Sequence, residues 1–139
     1  MRVELSDEAR RYIGRFDELT DVAPKDCLVE SDRLVFLVPA GEMAAAIGQD
    51  GATVAAAERE LGRSIELVEA ADTPEAFVAS ALAPAAVNAV TVSEQNDRVA
   101  YVEVAEPDRG VAIGADGRNI ETARTLAKRH HDIDDIQLT

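Results

Sequence analysis

Six residues, Ala46-Ile47-Gly48-Gln49-Asp50-Gly51, recur 66 positions later as Ala112-Ile113-Gly114-Ala115-Asp116-Gly117. Each copy carries a Gly-x-x-Gly segment where one helical pattern stops and another begins. Glycine reaches positive φ without steric penalty and has no side chain to hold another backbone away. The helix that follows opens with unpaired N–H groups and the positive end of its dipole. A phosphate oxygen is the natural ligand of such a turn. Gly48, Gln49, Asp50 and Gly51, and in the second copy Gly114, Ala115, Asp116 and Gly117, are therefore candidate phosphate-contacting residues. Ile47 and Ile113 precede the glycines, and Val54 and Ile120 follow them, as candidates for an apolar groove beside each loop. A single Gly-x-x-Gly is a common helix end. Two copies in one context are a stronger signal.

Charge separates the copies. From Gly117 to His131 the bases Arg118, Arg124, Lys128 and Arg129 face one acid, Glu121. The matching stretch from Gly51 to Leu61 sets Arg59 against Glu58 and Glu60. Arg118, Asn119, Arg124 and Lys128 therefore join the second candidate site, which is expected to bind more strongly. The N–H groups of Gly117, Arg118 and Asn119 are expected to hold the anion, with the Arg118 guanidinium adding a directional contact. Asp50 and Asp116 would oppose a phosphate. The simpler reading assigns them to the helix N-termini, where a carboxylate is favourable; the alternative is a clamp that has lost affinity.

Across 139 residues, 27 acids outnumber 14 bases, for a net charge of -13, and only Lys25 and Lys128 are lysine. Such a balance argues against a polyanionic partner, unless it reports a salt-rich cytoplasm in which self-repulsion is screened. The apolar fraction is 47% with 4% aromatic residues and no Trp, so an aliphatic core is expected. One cysteine, Cys27, excludes an internal disulfide and a thiolate zinc cluster, and reads as a small buried hydrophobe. No apolar run nears the roughly 20 residues of a membrane span, and charge begins at Arg2, so a soluble cytoplasmic protein is expected. His130 and His131 are adjacent in a helical pattern and do not share a face, which favours a helix-end role over a metal site. No nucleophile–base set or Walker loop stands out. An enzyme, a cofactor and a metal are not expected.

The elements that must position the loops follow from periodicity. Ser6 reads as an N-cap before Ala9, Tyr12, Ile13, Phe16 and Leu19 at helical spacing. Strands over 27–29 and 34–38 form a hairpin. A short helix over 42–47 leads into the first glycine pair, a helix runs from Gly51 to Gly62, and a strand covers 65–68. The second half repeats the order: Thr73 as N-cap with Pro74 at the first helical position, an inward face of Phe77, Val78 and Leu82, strands over 87–93 and 99–104, a short helix over 108–113, a helix from Gly117 to about His130, and a strand over 133–138. Ala70-Ala71-Asp72 reads as the linker.

The order α-β-β-α-α-β, with Gly-x-x-Gly between two helices, resembles the type II KH domain, which clamps about four nucleotides of a single strand. The tandem pair resembles the archaeal NusA family. Ala112-Ile113-Gly114-Ala115-Asp116-Gly117-Arg118-Asn119-Ile120, with Leu126-Ala127-Lys128-Arg129-His130 and Ile133-Asp134-Asp135-Ile136, is similar to the second KH domain of that family. The resemblance implies an α+β fold of two tandem type II KH domains, residues 1–71 and 72–139, packed as one rigid unit. It further implies a monomeric, single-stranded RNA-binding factor of transcription elongation or termination, partnered by RNA polymerase or the transcription machinery, without a membrane. Two other readings stand beside it: a ribosome- or RNA-processing-associated KH protein, and an RNA polymerase interaction module whose loops no longer bind RNA.

Overall fold

The computed structural model describes residues 3–139. The chain divides into two compact units, built on Glu4–Ala70 and Ala71–Thr139. In the first, α1 (Asp7–Thr20) is followed by β1 (Asp26–Val29), β2 (Arg33–Val38), α2 (Met43–Ile47), α3 (Ala52–Leu61) and β3 (Ser64–Glu69). Ser6 starts α1 as expected, its hydroxyl accepting from the Ala9 N–H at 3.0 Å. The apolar stripe of α1 buries Ala9 and Phe16, and Phe16 meets Phe36 with ring centroids 4.4 Å apart. Strand β2 lies central, antiparallel to β1 and parallel to β3. Leu34, Val35, Phe36, Leu37 and Val38 are each at most 1% exposed, so β2 is buried on both faces. Cys27 is buried and free, as expected. The Ala70 N–H donates to the Val38 carbonyl at 2.8 Å, so this residue extends the first sheet instead of beginning a linker.

In the second unit, α4 (Pro74–Ala81) precedes β4 (Val87–Ser93), β5 (Val99–Val104), α5 (Arg109–Ile113), α6 (Arg118–His131) and β6 (Asp135–Leu138). Thr73 caps α4 by accepting from the Ala76 N–H, and Phe77, Val78 and Leu82 are buried. Strand β5 is central, antiparallel to β4 and parallel to β6. It alternates buried and open positions, with Ala100 and Val102 inside and Tyr101 39% exposed. The last strand starts later than the sequence suggests. Asp132 ends α6 in the left-handed conformation. Ile133 then donates back to the Ala127 carbonyl and Asp134 to the Arg98 carbonyl, so pairing in the sheet begins only at Asp135. Both units are α+β, and the fold is KH-like.

Candidate nucleic-acid interface

A short 3-10 turn joins the helices at each Gly-x-x-Gly: Gln49–Gly51 between α2 and α3, and Ala115–Gly117 between α5 and α6. The first glycine of each pair has an almost glycine-only backbone: φ 79° and ψ 171° at Gly48, φ 78° and ψ 169° at Gly114. A Cβ at Gly48 would lie 2.2 Å from Thr53 Oγ1 and 2.7 Å from the Thr53 nitrogen; at Gly114 it would lie 2.7 Å from Asn119 Cγ. The second glycines, Gly51 and Gly117, are left-handed, with open space where a side chain would go.

Asp50 and Asp116, both exposed, sit at φ 54°. Neither carboxylate enters the described hydrogen bonds, so the N-cap reading gives way to a conformational one. Aspartate is among the few residues that visit the left-handed region readily, and the turn requires it there. The donors also differ from expectation. The Gly117 N–H is spent on the Gly114 carbonyl at 3.0 Å, and that of Arg118 on Ala115. Gly51 and Ala52 repeat this pattern with Gly48 and Gln49. Those two turns leave the N–H groups of Ala115 and Asp116, and of Gln49 and Asp50, as the donors each loop does not use on itself. Asn119 serves the loop from behind, its amide donating to the Val111 carbonyl at 2.9 Å.

Beside the second loop is a groove of about 380 Å³, with Ile113, Ile120 and Leu138 as its apolar lining and Arg109, Asp116, Gly117, Glu121 and Arg124 around them. Ile113 is 38% exposed and Ile120 only 6%, so Ile113 offers most of the free apolar contact. In the first unit Ile47 is 37% exposed and Val54 half-buried. The structure thus brings Ile113, Gly117, Asp116, Ile120 and Arg124 to one groove.

The basic helix face is corrected. Arg124 lines the groove but is anchored. Its Nε lies 2.9 Å from Asp135, its Nη2 donates to the Ile136 carbonyl at 2.8 Å, and its Nη1 donates to Glu121 at 2.5 Å. Lys128 lies eleven residues beyond Gly117, about 16 Å along the helix axis. It pairs with Asp134 at 2.7 Å and Asp132 at 3.1 Å. The structure therefore does not bring Lys128 to the loop. Asp132, Asp134 and Asp135, just past the helix, cancel the local positive charge read from the sequence.

A family model described as the NusA-like second KH domain matches residues 74–139. The probable transcription termination protein NusA of Halobacterium salinarum is 62% identical over 139 residues, all of both chains. That of Methanocaldococcus jannaschii is 31% identical, over 99% of this chain and 75% of its own. The chain belongs to the NusA family. The crystal structure of APE1850 is similar to it with a TM-score of 0.82 at 30% identity, covering 97% of this chain and all of that one.

Three contributors to this NusA-family site escape sequence reasoning. Arg109, in the groove, donates to the Thr139 main-chain oxygen at 2.8 Å; its place in the helix before the glycines was the only available hint. Leu138 reaches the groove from β6, and Glu121 stands at its edge. Both histidines stand in the last turn of α6, the helix end expected for them, and His131 also packs inward. The His131 ring packs 4.8 Å from Phe77, and its Nε2 lies 3.1 Å from the Ala71 carbonyl. Burial holds its pKa below the usual histidine value, against the opposing pull of that carbonyl. Lys128 is shifted up, and Asp134 down, chiefly by hydrogen bonding to each other.

Proposed function

We propose that this protein is a non-enzymatic, single-stranded RNA-binding factor of transcription elongation and termination. In this reading it consists of two tandem type II KH domains, residues 1–71 and 72–139, joined by a linker too short for free tumbling. It works as a cytoplasmic monomer alongside RNA polymerase or other transcription machinery. The observation that carries the reading is the second loop: a Gly-x-x-Gly turn with unspent N–H groups, opening onto an apolar groove with arginine at its rim. The backbone donors suit a phosphate, and the groove suits unstacked bases. The transcription termination named for its relatives supports the address. Among the described residues no helix is long and apolar enough to cross a membrane.

One observation favours a second reading, a polymerase-binding module with silent loops: Asp116 and Glu121 place carboxylates beside the clamp. Titration of a short single-stranded RNA at fixed high KCl separates the two. Gly117→Asp has open space for its side chain at a φ of 77° that strains most residues and aspartate less than most, and its fold is checked first by amide chemical shifts. It is expected to bind about ten-fold more weakly or worse, the equivalent of one lost charge-assisted hydrogen bond. Affinity equal to wild type would reduce the loops to turns and favour the polymerase module.

A further inference from the structure

Glu121 is out of place in a groove for a polyanion. It stands on the first turn of α6 at the groove edge, exposed to solvent and paired with Arg124. Arg124 Nη1 donates to its Oε1 at 2.5 Å, and Arg124 is itself fixed by Asp135 and by the Ile136 carbonyl. A carboxylate held this way can still accept hydrogen bonds, since its two oxygens offer about four lone-pair positions. Ile113, Ile120 and Leu138 beside it form the apolar floor on which a base would lie. The first unit lacks this device: Ala55 and Glu58 occupy the positions of Glu121 and Arg124 in the 66-residue repeat.

We propose that Glu121, oriented by Arg124, reads the base in the second groove and favours bases with an exocyclic amino group over uracil. This rests on the RNA-binding reading above. Adenine and cytosine present an N–H2 donor on the edge that a groove-wall acceptor meets, and guanine presents N1–H beside its own amino group. Uracil has only N3–H, set between two carbonyl oxygens that repel a carboxylate. Adenine or cytosine in the groove gives the carboxylate a hydrogen bond in exchange for water, whereas uracil sets a carbonyl oxygen against it, and that mismatch generates the selectivity.

The test uses the full chain with Gly51→Asp to silence the first loop, and oligo(rA), oligo(rC) and oligo(rU) of about eight nucleotides, enough to span one KH groove. At fixed high KCl, oligo(rA) and oligo(rC) are expected to bind about ten-fold tighter than oligo(rU), the discrimination of one well-placed base contact. Glu121→Gln keeps the shape and offers a donor as well as an acceptor, so the ratio should collapse to within about three-fold. A purely electrostatic role for Glu121 would raise all three affinities together and leave the ratio unchanged. An unchanged ratio in Glu121→Gln, or a wild-type preference for oligo(rU), overturns this inference while leaving RNA binding intact. Failure of all three oligomers to bind overturns the RNA-binding reading itself.

Discussion

The two loops share a backbone to within about three degrees at every glycine and aspartate, yet the helices behind them are anchored by opposite charges. In the first unit the Glu58 carboxylate on α3 accepts from the Ile65 N–H of β3 at 2.9 Å. At the matching place in the second unit, Arg124 on α6 donates to the Ile136 carbonyl of β6 at 2.8 Å. Both contacts tie the helix to the start of the last strand. One puts an anion at that junction and the other a cation. A duplicated turn can thus keep its geometry while the electrostatics around it diverge, because the backbone conformation is set by glycine, aspartate and one bracing residue. The brace differs too, Thr53 in one unit and Asn119 in the other, and only the second crosses the loop to a main-chain carbonyl.

The largest effect that would sharpen this comparison comes from the first glycines. Gly48→Ala drives a Cβ to within 2.7 Å of the Thr53 main-chain nitrogen, whereas the three atoms nearest a Cβ at Gly114 belong to the Asn119 side chain. Strain of this backbone type costs about 1–3 kcal/mol. Chemical denaturation followed by NMR signals from each unit should show the larger loss at Gly48, and equal losses would break the asymmetry. Next, Arg124→Ala should destabilise the second unit by about 1–3 kcal/mol, since it leaves Asp135 and the Ile136 carbonyl without their charged donor. A melting transition of that unit indistinguishable from wild type would mean the anchor is idle.

A smaller effect separates the units by pH. Both histidines lie in the second. The folded pKa of His131 is depressed below 6.5, so the unfolded chain binds more protons in that window. Stability from this source is fully present above the unfolded value and is lost as pH falls through about 6.5 toward the folded pKa. The second unit should weaken from pH 7 to 5 while the first shows no such step, and His131→Gln should flatten the profile. The smallest effect is expected from Lys128→Ala. Its exposed pairs with Asp132 and Asp134 lie far from the loop, so RNA affinity should not change; a marked loss would restore the basic face read from the sequence.

Much of the frame was legible because it is local. Ser6, Thr73-Pro74 and Gly62 mark helix ends by their own chemistry, and the strand read over 99–104 matches β5. What was not legible depends on residues that meet only after folding. The window ending at His131 looked basic because Asp132, Asp134 and Asp135 lie just beyond it, and only the turn after α6 brings them back onto Lys128 and Arg124. Asp116 looked like a cap because sequence shows its charge but not its φ. The N–H groups of Gly117 and Arg118 looked free because a 3-10 turn inside the loop leaves no mark on residue spacing.

The complete burial of β2 has a consequence for how the protein breathes. A central strand with five successive side chains out of water offers no small opening by which its amides can meet solvent. Its hydrogens should exchange only through the largest unfolding event available to that unit. The amides of β5, with Tyr101 and Glu103 facing solvent, have fewer buried contacts to break. Deuterium uptake should therefore be slowest in 34–38 and measurably faster in 99–104, which makes β2 the segment that retains protons longest.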